Sequence, residues 1–334
     1  MIQIDKTAPT CKITPSGDND LTNGWYNTNV TLTLTVEGVG DNAGIAKTGY
    51  STSESVNNFK TSAVYTETLT SDFDATYYYG HIQDKAGNTT RCSITIKRDV
   101  TAPYCSIYIS SGTEGDNGWY RSTVGITGKP TREYNSGLTA FDVNASSSGS
   151  YGETYSSSNS SKTVYHSSDT SGTRYYCHTK DKAGNTRTTT GPLVKKDTVK
   201  PSCEIRSKSN FSGWNTGTQS YKPAWGAVQV SLYNKDGATS WGMNMGSSSA
   251  VYNGMTKMSI QMATNTFYGF TKDDAGNTSS CSATVTHSFL FGGSTCSLSF
   301  SGTKGSNGWY TSSGRVTINR DDAADFDWTV NDVD

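Results

Sequence analysis

The chain has 334 residues, with 28 Lys+Arg against 29 Asp+Glu and a net charge of -1, a balance that gives no electrostatic case for nucleic acid or for an anionic membrane surface. Charged residues make up only 17% of it, against roughly 25% in an average soluble domain; Ser, Thr, Asn, Gly and 20 Tyr take up the difference, which favours strands over helices. No apolar run approaches the ~20 residues of a membrane span, the opening MIQIDKT lacks the basic and apolar regions of a signal peptide, and the length suits two to four domains.

Asp5 opens an Asp-x-x-x-Pro string that ends at Pro9, and Cys11 follows two residues later. Asn23-Gly24-Trp25-Tyr26 comes next. Val30, Leu32, Leu34 and Val36 then alternate with threonines, the pattern of a half-buried strand. An aromatic stretch at 76–79 precedes Asp84-Lys85-Ala86-Gly87-Asn88, and the alternating 93–96 closes the passage. The same order returns with Asp99, Pro103, Cys105, Asn117-Gly118-Trp119-Tyr120, the aromatic 174–177 and Asp181-Lys182-Ala183-Gly184-Asn185. It returns again with Asp197, Pro201, Cys203, Gly213-Trp214, the alternating 228–232, the aromatic 266–270 and Asp273-Asp274-Ala275-Gly276-Asn277. A fourth passage carries Cys296 and Asn307-Gly308-Trp309-Tyr310 but no further Asp-x-Ala-Gly-Asn string.

Trp25, Trp119, Trp214 and Trp309 are spaced by 94, 95 and 95 residues, and Asn88, Asn185 and Asn277 by 97 and 92. Landmarks kept in one order at one period mark an internal repeat of about 95 residues. The repeats fall at 5–98, 99–196 and 197–287, with a partial fourth at 288–334. The leading MIQID matches the end of a repeat, so the chain reads as a segment of a longer array. No window shows helical spacing. About seven short strands per repeat predict an all-β chain of tandem immunoglobulin-like β-sandwich domains in an extended array. The Ser-rich 146–171, punctuated by Tyr151, Tyr155 and Tyr165, reads as strands and polar loops within a domain.

The seven cysteines sort by repeat. Cys11 and Cys92 share the first, Cys105 and Cys177 the second, Cys203 and Cys281 the third, and Cys296 stands alone in the partial fourth. Two per repeat, without C-x-x-C or a His pair, predicts disulfides 11–92, 105–177 and 203–281 rather than zinc, and hence an oxidising, extracytoplasmic location. Cys92 and Cys281 lie four residues after the turn Asn, whereas Cys177 lies four before the turn Asp. The second repeat therefore bridges to a different strand. In each Asp-x-Ala-Gly-Asn string, Asp84, Asp181 or Asp273 opens a turn, and Gly87, Gly184 or Gly276 supplies its φ > 0 position. Asp274 stands where the first two copies have Lys, which a solvent-facing turn tolerates.

Asp-x-Thr-x-Pro at the start, Gly-Trp-Tyr early and Asp-x-Ala-Gly-Asn before the last strand together resemble bacterial immunoglobulin-like repeats. Such repeats occur in tandem in large cell-surface proteins, adhesins and some phage virion proteins. The resemblance implies a non-enzymatic structural stalk or spacer on the bacterial cell surface. It also admits a glycan- or host-protein-binding module, the third repeat foremost, or a subunit of an extracellular filament of like chains or of a phage appendage. Two departures stand out: Val199 replaces Thr7 and Thr101, and Phe289-Leu290-Phe291-Gly292-Gly293 replaces the last Asp-to-Pro joint. In some arrays of this kind calcium stiffens the joints, and Asp5, Asp99 and Asp197 are the residues here that such calcium would use.

Other chemistry finds little support. His81, His166, His178 and His287 recur at no common place in all repeats and show no metal-pair spacing. No nucleophile elbow, P-loop or dinucleotide fingerprint is present. The cluster Asp321, Asp322, Asp325, Asp327 lacks the Gly and terminal Glu of a calcium loop. Trp25, Trp119 and Trp309 recur in register and read as packing residues; Trp225, Trp241 and Trp328 do not, and of these Trp241 is the best candidate for an exposed ring that takes a glycan.

Overall fold

The computed structural model describes residues 2–17, 24–37, 43–55, 59–60, 64–130, 135–149, 151, 153–154, 160–210, 212–221, 227–261, 263–287, 296–306, 311–312 and 315–320. Among them are 24 strands and no α-helix. Contacts divide the chain into two units, Met1–Val199 with Asp274–Asn277, and Lys200–Asp273 with Thr278–Asp334.

The first unit holds two β-sandwiches. In the first, Thr10–Ser16, Val30–Glu37 and Thr66–Leu69 form one sheet, and Ile45–Ser51, Phe73–Asp84 and Thr89–Arg98 the other. The alternation seen in the sequence sets the core: Val30, Leu32 and Leu34 are buried in one cluster with Ile13 of the same sheet and Ile82 and Ile96 of the other, while the intervening threonines leave the core. The second sandwich pairs Cys105–Ser111, Val124–Pro130 and Lys162–His166 against Leu138–Asn144, Thr170–Asp181 and Thr186–Lys196. Glu153–Thr154 and Trp119–Tyr120 extend the edges of that second sheet. The second unit repeats the plan. Glu204–Lys208, Asn215–Thr216, Val228–Asn234 and Lys257–Ile260 face Gln219–Tyr221, Ser240–Met245, Thr264–Lys272 and Thr278–His287 around Val228, Val230, Phe267 and Val285. Cys296–Ser301 pairs with Arg315–Arg320 as a further hairpin.

Disulfides join Cys11 to Cys92, Cys105 to Cys177 and Cys203 to Cys281. Cys11 and Cys105 lie on the first strand of their sandwiches and Cys203 directly before its own, and each is tied to the opposite sheet. Sequence separations of 81, 72 and 78 correspond to about 4–5 kcal/mol each in the chain-entropy account. That supplements the modest core of a chain only 33% hydrophobic. The side chain of Cys296 lies outside the described residues.

The shifted cysteine of the second repeat has a steric cause. Cys92 faces Gly80 across its hairpin, and Cys281 faces Gly269. A Cβ on Gly80 would lie 2.6 Å from Leu34 Cδ1, and one on Gly269 2.8 Å from Leu232 Cδ1. The glycine makes room for a leucine and a sulfur. In the second repeat Cys177 faces Thr189, so the bridge has moved to the glycine's strand. The residue in register with the leucine is Gly128, opposite Ile107 as Leu34 is opposite Ile13. A Cβ there would collide with Val143 Cγ2 and approach Cys177 Sγ to 3.1 Å. Leu34 with Gly80 in the first repeat corresponds to Gly128 with Cys177 in the second.

The third repeat corrects one landmark. Tyr26 bridges Arg98 in parallel, and Trp119–Tyr120 pairs in parallel with Lys195 and Lys196. The equivalent partner of His287 is Tyr221, on Gln219–Tyr221. Trp214 precedes a different strand, Asn215–Thr216, on the opposite sheet, and is exposed with Lys208 Nζ 4.9 Å from its ring centre. The spacing of 95 residues therefore aligns Trp214 with Trp25 and Trp119 in sequence but not in structure. Extra residues ahead of Tyr221 displace the motif from the sheet edge. Trp309 lies outside the described residues.

Overpacking a filled core costs about 1–3 kcal/mol. Gly128→Leu should lower stability by that amount in thermal or denaturant unfolding of the whole chain. Adding Cys177→Gly and Thr189→Cys, which restores the first repeat's arrangement, should recover most of the loss.

Candidate functional site

The most developed polar structure in the chain lies where one repeat passes into the next. It begins with the turn string. Asp84 Oδ1 accepts the Asn88 N–H at 2.8 Å and Oδ2 accepts Asn88 Nδ2–H at 2.8 Å. Gly87 sits at φ +94°, in the region only glycine enters freely. Asp181 holds Asn185 in the same way at 2.8 and 2.9 Å, with Gly184 at φ +91°, and Gly276 has φ +85°. Burial pushes the Asp84 carboxyl up, but the donors of Asn88, Gly87 and Ala86 outweigh it and hold its pKa below the usual carboxylate range.

The clamped Asn side chain then reaches the start of its own repeat. Asn88 Nδ2 donates to the Asp5 and Thr7 carbonyls at 3.3 and 3.4 Å. Asn185 Nδ2 donates to the Asp99 carbonyl at 2.8 Å, and Asn277 Nδ2 to those of Asp197 and Val199 at 3.1 and 3.4 Å. The start of each repeat is fixed by a residue some eighty positions downstream.

Asp99 shows how much is tied there. It is fully buried. Its N–H donates to Tyr26 O of the first sandwich at 2.9 Å. Its Oδ1 accepts the Thr101 N–H at 3.0 Å and its Oδ2 the Ser136 N–H at 3.1 Å, both of the second. Arg98, 2% exposed, donates to Thr28 O, Asn29 Oδ1 and, at 2.8 Å, Asp72 Oδ1. Asp72 also accepts the Val100 N–H and, at 2.6 Å, the Thr101 hydroxyl. The next joint reuses the scheme. Asp197 N–H donates to Tyr120 O at 3.0 Å, Lys196 Nζ lies 2.6 Å from Asp169 Oδ1, and the Thr198 hydroxyl donates to Asp169 Oδ2 at 2.9 Å. Lys196 and Thr198 hold Asp169 below the usual carboxylate range. Val199, which replaces the expected Thr, loses nothing, because Thr198 beside it supplies the hydroxyl.

The acid–cation pair is the element that sequence reasoning missed. Its signal is an Asp twelve residues before the turn Asp, at 72 and 169, and a cation directly before the joint Asp, at 98 and 196. The third repeat has neither: His287 takes the register position of the cation, and Gln261 and Met262 precede its aromatic strand.

The joint aspartates bond the backbone of their own joints. Asp5 accepts the Thr7 and Ala43 N–H groups on its two oxygens, Asp99 is occupied likewise, and Asp197 Oδ1 accepts the Val199 N–H at 2.8 Å. Calcium takes six to eight oxygens, and among the described residues no group of three or more His, Cys, Asp or Glu is assembled. The acidic residues 321–327 lie outside the described residues. Trp241 is half-buried on the core of the second unit, donates Nε1–H to Gly254 O at 3.2 Å and carries Lys235 Nζ 3.8 Å from its ring centre. Three of the histidines make hydrogen bonds within their sandwiches. Buried His81 meets Ser51 Oγ at 2.8 Å, and its Nδ1 has no hydrogen-bond partner among the described residues. Burial lowers its pKa. His178 bonds Thr188 and Ser146 O, and His166 bonds Tyr175.

No family model matches the chain, and no curated protein matches it. Solved structures similar to it include a calcium-stabilized adhesin with which an Antarctic bacterium binds ice (18% identity, 88% of this chain and 77% of that one, TM-score 0.34). A tetra-tandem repeat from the extending region of a large adhesion protein (14%, 93% and 88%, TM-score 0.29) and the fibronectin(III)-like modules of Clostridium thermocellum CbhA (12%, 56% and 95%, TM-score 0.27) are also similar. Strand order and register, rather than these partial superpositions, define the fold.

Removing one partner of a buried pair costs about 3–5 kcal/mol. Asp72→Ala, which strands Arg98, should approach that loss in chemical unfolding, and Arg98→Met with Asp72→Leu should cost much less. Asp84 and Asp169 have folded pKa values below their unfolded value of about 4. Their contribution is therefore present above that pH and is lost as pH falls through the folded values. Acid titration followed by tryptophan fluorescence should show stability falling below about pH 4.

Proposed function

We propose that this chain is a spacer segment of an extracellular, bacterial-type surface protein, composed of repeats at 5–98, 99–196 and 197–287 with part of a fourth at 288–334. Its task is mechanical and spatial, not catalytic. The observation that carries the reading is the buried joint at 98–101, where Asp99 and the Arg98–Asp72 pair engage both neighbouring sandwiches. A linker that needed only to connect would leave these groups in water. The three disulfides support an oxidising location and resistance to unfolding and proteases. The joints are held by the chain's own donors and do not depend on calcium.

A second reading, a glycan- or protein-binding module in the 197–287 repeat, is favoured by a cleft of about 560 Å³ lined by Lys200, Ser248, Tyr252, Phe270, Thr278 and Ser280. Ring and hydroxyls together suit a sugar. A glycan array probed with the whole chain tests it: binding lost in Tyr252→Ala supports the module, and no binding removes it.

For the spacer reading, solution scattering of the whole chain should give a distance distribution unchanged by calcium or chelator, with an unchanged melting midpoint. Asp72→Ala with Thr101→Ala should broaden that distribution. Calcium-dependent melting, or a distribution indifferent to the joint variants, would count against it.

A further inference from the structure

One sheet of the 197–287 repeat gathers positive charge on its outer face. In the sheet of Glu204–Lys208, Asn215–Thr216, Val228–Asn234 and Lys257–Ile260, residues such as Ile205, Val230 and Ile260 turn to the core, and their alternates face solvent. Strand register sets the alternates in rows: Arg206, Ser231 and Lys257 in one, Lys208, Gln229 and Ser259 in the next. Half of these positions are cations. Glu204 is the one acid on the strands of this sheet, and its carboxylate is spent on Arg206 Nε at 3.1 Å. The sequence has no Asp or Glu from 205 to 235 or from 237 to 272.

The cations lie against rings instead. Arg206 Cζ stands 3.3 Å from the centre of the Tyr233 ring and Lys208 Nζ 4.9 Å from that of Trp214, and these rings are 56% and 42% exposed. The matching faces of the other sandwiches are built otherwise. The first sets Lys12 beside Glu37 at 3.9 Å among threonines, and the second has Lys129 with Ser106, Thr127 and Thr163. A sheet that served only as a spacer would gain nothing from gathering like charges, which repel across strands.

We propose that this face binds an acidic polysaccharide, a linear polymer whose sugars carry carboxylates. Arg206, Lys208 and Lys257 meet the carboxylates, Trp214 and Tyr233 the sugar faces, and Gln229, Ser231 and Ser259 the hydroxyls. A polymer suits a sheet face because it engages both rows at once; each row spans two strand spacings, about 10 Å. That the polyanion is a glycan rather than a nucleic acid rests on the extracellular location proposed above.

Biolayer interferometry of the whole chain tests this, with immobilised polygalacturonate, dextran as the neutral polymer and a single-stranded oligonucleotide as the other polyanion. Polygalacturonate should bind at about 0.1 M salt and be released at about 1 M, where the screening length falls to about 3 Å; dextran should not bind. Arg206→Gln with Lys208→Gln and Lys257→Gln should weaken binding about tenfold or more, at about two- to threefold for each exposed charge contact, with an unchanged melting midpoint. Removing the same charge elsewhere, by Lys12→Gln, Lys47→Gln and Lys129→Gln, should leave binding as it was. Tyr252→Ala, which tests the cleft of this repeat, should do so too, so the two sites stand or fall separately. The proposal is overturned by no binding, by binding to dextran as well, by equal loss in the control variant, by loss in Tyr252→Ala instead, or by tighter binding to the oligonucleotide. The last result would also count against the extracellular reading.

Discussion

A carboxylate withdrawn from water must find donors; Asp99 finds them in one sandwich while its own N–H donates to the other. Its backbone N–H is committed to Tyr26 of one sandwich, and both its carboxylate oxygens to Thr101 and Ser136 of the next. Leaving any of these unmet would cost about 1–3 kcal/mol or more. The joint is thus specified by the same rule that specifies a core: buried polar groups must be satisfied. Asn185, itself clamped by Asp181, adds the fourth contact, to the Asp99 carbonyl. The rest of the repeat serves to bring these residues, separated widely in sequence, to one end of a sandwich.

The turn string therefore has two jobs. Its Asp and Asn shape a hairpin loop and then hold the start of the repeat, and at 274–276 its carbonyls also accept from Asn117, Asp116 and Arg121. This explains why four of its residues recur while the second varies from Lys85 and Lys182 to Asp274. Neither job uses that side chain. The Arg98–Asp72 and Lys196–Asp169 pairs work on the other side of the joint. There the acid gathers a buried cation and a threonine hydroxyl of the joint. In the 197–287 repeat His287 takes the register position of the cation and Gln261 the sequence position of the acid.

Much of this was legible in the sequence. Alternating Val30, Leu32 and Leu34 and the spaced turn strings define the sandwiches, because strand periodicity and turn chemistry are local. The cysteine pairs are readable because the repeat sorts them. What was not legible depended on register. Trp214 keeps the period yet has left the sheet edge, since spacing counts residues and cannot see an insertion compensated elsewhere. Gly128 gave no hint that it replaces a leucine to admit Cys177, a relation that exists only across two facing sheets. Asp5, Asp99 and Asp197 suggested calcium because aspartates near a joint offer oxygens; their hydrogen-bond partners, Thr7, Ala43 and Ser136 among them, are fixed only by the folded loops.

The most direct measure of this account is amide hydrogen exchange in the intact chain. If the joint is built like a core, the N–H groups of Asp99 and Thr101 exchange as slowly as those of the strand Thr89–Arg98, because they open only with the sandwiches themselves. If they exchange at the rates of exposed loops, the joint is a flexible connection and the account fails.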